Sequence, residues 1–144
     1  MHNKKKKIFK CIALAGLASL LLMIGLAGCT VEKANRTKVS DLEYQIVAPE
    51  EIPEELLQQI EEKKAADFKM TYETPEKLYI VRGYGEQATG GYSIQVKELY
   101  LSNNAAFFQT ELIGPRKGET ITKSPSYPYI VVATEKVDKN LVFE

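Results

Sequence analysis

The first 29 residues set the strongest limit on what this chain can fold into. A lysine cluster, Lys4–Lys7 with Lys10, precedes an apolar run of 17 residues from Cys11 to Ala27. A basic start followed by such a run is typical of an export signal, whereas a stable membrane span needs about 20 apolar residues. The pattern predicts that residues 1–28 are a lipoprotein signal peptide that is removed, which confines folding to residues 29–144.

The signal ends in Leu-Ala-Gly-Cys at residues 26–29, which matches the bacterial lipobox. In that motif, small residues give the peptidase access to the backbone, and the cysteine thiol receives a diacylglycerol. We therefore expect Cys29 to be the lipid attachment site, with palmitate-type chains holding the protein at the extracytoplasmic face of the cell membrane. The other interpretation is a single transmembrane anchor that ends in this motif by coincidence.

Histidine and cysteine are missing from the chain beyond Cys29, because the only histidine is His2 and the only other cysteine is Cys11. No Ser-His-Asp or Cys-His pair can then form, and zinc and redox metals lose their usual ligands. A carboxylate pair of the glycosidase type remains open, but the chain has no tryptophan to stack a sugar. These residue types predict a protein that is not an enzyme and has no cofactor and no metal.

The formal net charge of +0 conceals an asymmetry along the chain. Beyond Cys29 there are 14 basic and 19 acidic residues, which gives the exported part a formal charge of −5. A mildly acidic domain lacks the basic field that phosphate backbones require. The charge therefore argues against a nucleic-acid partner.

The exported part divides into a short tether and one domain. Residues 29–40 are polar and mixed in charge, which predicts a lipidated tether. A single β-rich domain is expected over residues 41–144. Its one helix is predicted over about residues 49–66, where Pro49 suits the first turn. The apolar residues that share one face of this helix are Ile52, Leu56, Leu57, Ile60 and Ala65.

From Phe68 onward the sequence has the pattern of β-strands. Residues 92–97 alternate between apolar and polar side chains, and residues 129–134 form a nearly continuous apolar run that predicts a buried central strand. Further strands are predicted at residues 44–47, 68–72, 78–84, 106–113 and 141–143. The expected fold class is mostly β (α+β): a small antiparallel sheet or sandwich, with one amphipathic N-terminal helix packed against it.

A glycine-rich stretch over residues 83–91 invites comparison with phosphate-binding loops. Those loops lead from a strand into a helix whose N-terminus holds the phosphate, whereas this stretch leads into a strand beginning near Tyr92. We instead expect a turn or bulge with a positive φ at Gly90 or Gly91, which can also present a partner-binding loop. Pro128 has no N–H group and is expected at a strand entrance.

Three elements in this part of the chain resemble the C-terminal domain of the PrcB protease-complex subunit family. They are TGGYSI at residues 89–94, the turn with Gly114-Pro115 and Gly118, and SYPYIV at residues 126–131, with Gly83 preceding them. The resemblance covers about residues 78–137. It implies a small exported protein, often a lipoprotein, that is not catalytic and that assembles or stabilises a surface subtilisin-like protease. The candidate partner-binding residues are Gly90, Gly91, Tyr92, Tyr127 and Tyr129.

Two functions remain open at this point. One is a membrane-anchored interaction lipoprotein that binds an exported protein, with a subtilisin-like protease as the candidate partner. The other is a surface lipoprotein that binds a small ligand or the cell wall, through exposed tyrosines such as Tyr79, Tyr84 or Tyr100. A concave, tyrosine-lined pocket would favour the second function.

Overall fold

Two four-stranded sheets organise residues 32–144, the part of the chain that this computed structural model describes. The predicted signal peptide and the predicted lipid attachment residue Cys29 lie outside the described residues. Between residues 32 and 144, no helix has the length and apolar character needed to cross a membrane. Residues 34–144 form one compact unit.

The strands are distributed over two sheets, A and B. Sheet A contains β1 (Ser40–Asp41), β5 (Ser93–Leu101), β6 (Ala105–Ile113) and β8 (Asn140–Phe143), in that spatial order. Sheet B contains β2 (Tyr44–Ile46), β7 (Tyr129–Glu135), β4 (Lys77–Tyr84) and β3 (Asp67–Glu73), in that spatial order. The paired strands are antiparallel except for β6 and β8, which are parallel.

The helix is shorter than the sequence predicted, because a proline divides the segment. A 3-10 turn spans Pro49–Glu51, and the α-helix, α1, spans Glu54–Lys63. Ile52 lies between them in an extended conformation with ψ of 128°. This residue precedes Pro53, whose ring disfavours the helical conformation at the residue before it. The expected helix at about residues 49–66 is therefore a turn and a helix in succession.

The main core lies between the two sheets. Side chains from β4 and β7 of sheet B meet side chains from β5 and β6 of sheet A in one buried cluster. Its members are Leu78, Ile80, Leu99, Phe108, Ile130 and Val132. Alternate residues of a strand face opposite sides, so these six residues supply one face of each sheet. The expected mostly β fold is confirmed, and it takes the form of a sandwich.

The other face of sheet B is covered by α1. Leu56 and Ile60 on the helix pack with Ile52 against Val81 of β4 and Val131 of β7, and we call these five residues the helix cluster. β7 is thus buried on both faces and lies between β2 and β4. This confirms the prediction of a buried central strand from the apolar run at residues 129–134.

A β-bulge explains why β5 extends beyond its predicted end. The pairing with β6 shifts between Val96 and Glu98, which leaves Lys97 as an extra residue. Val96 packs toward the main core before the bulge, and Leu99 does so after it. The alternation therefore changes phase, and the regular pattern in the sequence stops at Lys97 although the strand continues to Leu101.

The chain enters the sandwich beside the turn that joins β5 to β6. The backbone N–H of Asn35 donates to Oδ1 of Asn104 at 2.8 Å, and the N–H of Val39 donates to the carbonyl of Leu101 at 2.8 Å. Part of the segment predicted as a tether is thus hydrogen-bonded to the domain. At this end, β5 finishes and β6 begins.

Candidate functional site

The residues that carry the family resemblance gather at the opposite end of the sandwich. β4 and β6 finish there and β5 and β7 begin there, as the antiparallel pairings require. The connections at this end are residues 85–92 and 114–128, which we call the loop end. A hydrogen bond between the hydroxyls of Tyr84 and Thr110, 2.6 Å long, joins the two sheets directly beneath it.

Gly91 needs both the conformational freedom and the small volume of glycine. Its φ is 85°, in the region that L side chains rarely adopt. A Cβ atom at this position would lie 2.8 Å from Cγ2 of Ile121 and 2.9 Å from Cβ of Pro115. The expected positive φ is therefore found at Gly91, where the backbone is held against the residue 114–122 segment.

Gly90 and Tyr92 contact the same segment from either side of Gly91. The N–H of Gly90 donates to the carbonyl of Thr122 at 2.9 Å. The ring of Tyr92 covers Gly114, where an added Cβ would lie 3.4 Å from a ring carbon. These contacts give the glycine segment a structural role in holding the loops of the loop end together.

A short bridge connects this segment to the entrance of β7. Gln87 and Ser126 exchange two backbone hydrogen bonds of 2.8 and 3.0 Å. The Ser126 hydroxyl also donates to the carbonyl of Thr89 at 2.6 Å. Pro128 stands at the strand entrance, as predicted, and its carbonyl accepts the N–H of Tyr84 at 3.0 Å.

Tyr127 and Tyr129 lie in an apolar groove beside this entrance. The groove has a volume of about 410 Å³. Its lining residues are Ile46, Val47, Pro49, Ile52, Tyr127, Pro128, Tyr129, Ile130 and Val131. Ile46 is 64% exposed, so part of the apolar lining of the groove faces solvent. We call this surface the β7 groove.

The edge of β7 is open where it lines the groove. β2 pairs with β7 from Tyr44 to Ile46, and the N–H of Val47 then donates to the carbonyl of Val131 at 2.9 Å. The chain turns away at Pro49. Since Pro128 directs its carbonyl toward β4, alternation directs the main-chain groups of Tyr129 to the opposite side, into the groove.

A lysine stands at the rim of the β7 groove. Lys64 Nζ lies 5.5 Å from the ring centroid of Tyr127, which is cation–π distance. Its hydrogen bond with Glu61 raises the pKa of the Lys64 ammonium, and the nearby Tyr129 and Tyr127 raise it further. The rim therefore carries an ion pair between Lys64 and Glu61.

The five predicted contact residues therefore form two groups at the loop end. Gly90, Gly91 and Tyr92 pack against neighbouring loops, whereas Tyr127 and Tyr129 line the β7 groove. The other wall of the groove comes from the segment before α1, about 80 residues earlier in the chain. The sequence offered one signal for that wall, the apolar residue pair Ile46-Val47 immediately before Pro49.

The expectation of an exposed tyrosine platform is wrong. Tyr100 is only 6% exposed and stacks on Phe107 with ring centroids 5.0 Å apart. Tyr84 is half-buried, and its hydroxyl forms a hydrogen bond with that of Thr110. Tyr79 packs against the helix cluster. Tyr79 and Tyr100 pack in clusters outside the main core, and Tyr84 lies at the contact between the two sheets.

No group of three or more acidic, histidine or cysteine residues is arranged to hold a metal ion within residues 32–144. A second groove of about 560 Å³ lies near the opposite end of β2. Its lining residues are Asp41, Leu42, Glu43, Tyr44, Gln45, Glu76, Lys77, Ala133, Thr134 and Glu135.

One family model matches part of the chain. The family model described as PrcB C-terminal matches residues 78–135, which confirms the resemblance in the sequence. The matched segment runs from β4 to β7 and includes the whole loop end. No curated protein and no solved structure matches the chain.

Proposed function

Since residues 78–135 carry the PrcB C-terminal family segment, we propose that this chain is a non-enzymatic lipoprotein that assembles or stabilises an exported protease. The family match indicates a protein associated with a protease complex. The finer proposal adds anchoring through Cys29 at the extracytoplasmic face of the cell membrane, and a subtilisin-like enzyme as the partner.

The observation that carries this proposal is the β7 groove at the loop end. It combines aromatic side chains, Tyr127 and Tyr129, with the exposed aliphatic Ile46. Tyrosine is among the residues that contribute most of the binding energy in protein interfaces, and such residues cluster in desolvated pockets. Tyr127 and Tyr129 belong both to the segment that matches the family model and to the groove. The matched segment therefore contributes to a surface suited to a protein partner.

The open edge of β7 suggests how a partner would bind there. The main-chain groups of Tyr129 face the groove where pairing with β2 has ended at Val47. An extended segment of the partner can continue the sheet at this point, with main-chain hydrogen bonds giving affinity and the apolar walls giving specificity. The partner segment is therefore expected to carry apolar side chains at alternate positions.

The N-terminal segment joins the domain at the end opposite the β7 groove, which is compatible with anchoring through Cys29. Asn35 meets the sandwich beside Asn104, at the end where β5 finishes, whereas the β7 groove lies at the loop end. An acyl chain on Cys29 would thus be attached through the far end of the domain. That arrangement leaves the β7 groove accessible to exported proteins.

Recovery of the partner from membranes tests the proposal. We expect chemical cross-linking of the full chain to capture an exported protease, and Ile46→Asp combined with Tyr127→Ala to abolish the capture. Val39→Asp is the matched control, because Val39 is 61% exposed and lies away from the groove. Equal recovery with both variants would show that the groove is not the binding surface, and absence of any protease from the wild-type sample would refute the proposed partner.

Triple alanine replacement of Gly90, Gly91 and Tyr92 is a less specific test. A side chain at Gly91 collides with Ile121 and Pro115, so loss of binding there would also follow from a distorted loop end. The groove variants change exposed or half-buried side chains and leave the backbone conformation unstrained.

The second candidate function, small-ligand or cell-wall binding, is favoured by the two tyrosines that line the β7 groove and by the second groove, beside Leu42 and Tyr44. The volume of the second groove, about 560 Å³, lies within the range of about 300–1,000 Å³ typical of ligand sites. A rise in the melting temperature of the full chain with muropeptides would support this function. Loss of that rise in Tyr44→Ala, with protease capture unchanged, would assign the two activities to separate sites.

A further inference from the structure

Sheet B has a second open edge, on the side away from the β7 groove. β3 pairs with β4 over all seven residues from Asp67 to Glu73, and no strand among the described residues pairs with its other side. The strand contains no proline, glycine or bulge. A regular open edge of this length is a template for another strand.

The main-chain groups of four residues point out from this edge. The N–H of Thr74 donates to the carbonyl of Lys77 in the β3–β4 turn, which assigns the even-numbered residues of β3 to the pairing with β4. Alternation then directs the N–H and C=O groups of the odd-numbered residues outward. These are Asp67, Lys69, Thr71 and Glu73, and all four are exposed.

We propose that two copies of this chain associate by antiparallel pairing of β3 with β3, with Thr71 opposite Thr71 across a two-fold axis. The two copies of sheet B then form one continuous eight-stranded sheet. A symmetric contact of this kind closes on itself and gives a dimer.

The charges on β3 select this register. With Thr71 at the axis, Lys69 of each copy lies opposite Glu73 of the other, which gives two attractive cross-strand pairs. If Met70 instead lies at the two-fold axis, Asp67 of each copy lies opposite Glu73 of the other. If Lys69 lies at the axis, the two copies of Lys69 lie opposite each other. Of the registers that pair at least five residues of β3, the Thr71 register avoids opposing like charges.

The other face of β3 is compatible with the same register. Met70 and Tyr72 point toward the helix side of sheet B and are half-buried at the margin of the helix cluster. The Thr71 register places Met70 of one copy opposite Tyr72 of the other. Apolar side chains thus meet on one face while opposite charges meet on the other.

The charged residues keep only weak contacts within one copy. Lys69 Nζ lies 6.0 Å from the ring centroid of Phe143, and Glu73 pairs with Lys136 at 3.4 Å. Exposed contacts of this kind contribute little to stability, so they compete weakly with pairing between copies. Self-association and partner binding use opposite edges of sheet B and do not depend on each other.

Disulfide cross-linking in membranes tests the register. In the full chain carrying Cys11→Ala, we expect Thr71→Cys to form a disulfide dimer under mild oxidation, because paired Cα atoms about 5.5 Å apart lie within disulfide range. Lys69→Cys alone should not cross-link, since the two copies of residue 69 would be offset by about 14 Å along the strands. Lys69→Cys and Glu73→Cys chains expressed together should cross-link.

Charge reversal provides the control for random collision. Adding Lys69→Glu to the Thr71→Cys chain should slow cross-linking about tenfold, because two attractive pairs become repulsive, and adding Glu73→Lys as well should restore the rate. An unchanged melting temperature under reducing conditions would verify the fold of each variant. Cross-linking of Lys69→Cys as fast as Thr71→Cys, an absence of cross-linking by Thr71→Cys, or indifference to charge reversal would each overturn the proposal.

Discussion

The hydroxyl of Tyr84, the last residue of β4, shares a hydrogen bond of 2.6 Å with the hydroxyl of Thr110 in β6. It ties sheet B to sheet A beneath the loop end. The guanidinium of Arg82 lies over the Tyr84 ring, 4.0 Å from its centroid. The spacing of the two sheets at the loop end therefore depends on a polar contact as well as on apolar packing.

Replacing Tyr84 with phenylalanine removes this bond and keeps the ring. We expect Tyr84→Phe to lower the free energy of unfolding by about 1 kcal/mol, because the hydroxyl of Thr110 loses its partner in a half-buried position. Urea denaturation measures the change. Tyr44→Phe is the matched control, since Tyr44 is exposed, and it should leave the free energy of unfolding nearly unchanged. Equal midpoints for the two variants would contradict the assigned role.

Gly91 and Gly118 form a matched pair that separates backbone strain from crowding. Both have φ of 85°, but a Cβ at Gly91 would approach Ile121 and Pro115, whereas a Cβ at Gly118 would meet nothing within 4 Å. We expect Gly118→Ala to cost about 1 kcal/mol from the left-handed conformation alone, and Gly91→Ala to cost more. The difference in unfolding free energy between the variants measures the close approach, and a value of zero would show that the loops yield without cost.

Tyr72 is expected to titrate above the usual range. Its hydroxyl donates to Oε2 of Glu55 at 2.8 Å, and this hydrogen bond raises the pKa of the Tyr72 phenol. A raised pKa in the folded state gives a stabilising contribution that is present below the unfolded value and is lost as pH rises through the folded pKa. Glu55→Gln should therefore lower the pH at which Tyr72 ionises.

Ultraviolet absorbance of tyrosinate measures this ionisation. The signal of Tyr72 is the difference between the titrations of the unmodified chain and of Tyr72→Phe. The same difference is then taken in a Glu55→Gln background. Identical titration midpoints in the two backgrounds would show that Glu55 does not control the ionisation of Tyr72.

The lipid attachment predicted from the sequence has a direct chemical test. Cys29→Ser should remove acylation and leave the protein with its signal residues 1–28, because acylation of the cysteine precedes cleavage. Intact-mass measurement of membrane-extracted protein reads out both changes. Cys11→Ser is the control and should be processed as the unmodified chain is. A wild-type mass that includes residues 1–28 would instead identify a transmembrane anchor.

Local sequence patterns located seven of the eight strands between residues 32 and 144, and they missed β1, which begins inside the predicted tether. The apolar run at residues 129–134 identified the central strand, and alternation at residues 92–97 identified the start of β5. The bulge at Lys97 concealed the end of β5, because it reverses which residues face the core. The order of the strands was not predictable, since pairings such as β1 with β5 join residues far apart in the sequence.

The candidate site was predicted in part, for the same reason. The glycine and tyrosine motifs were visible in the sequence, and the structure brings them together at the loop end. The opposite wall of the β7 groove, with Ile46 and Pro49, comes from a segment that no local pattern connects to Tyr127. The tyrosines at positions 79, 84 and 100 were misjudged, because their burial is decided by which layer of the sandwich covers them.

The family segment, residues 78–135, contains the two central strands of each sheet, and all four edge strands come from outside it. The segment that matches the family model thus supplies the central strands of both sheets and none of the edge strands. Another protein can have the same central strands and different edge strands. Similarity over residues 78–135 therefore does not imply the same self-association, because the proposed pairing of β3 with β3 uses residues outside that segment.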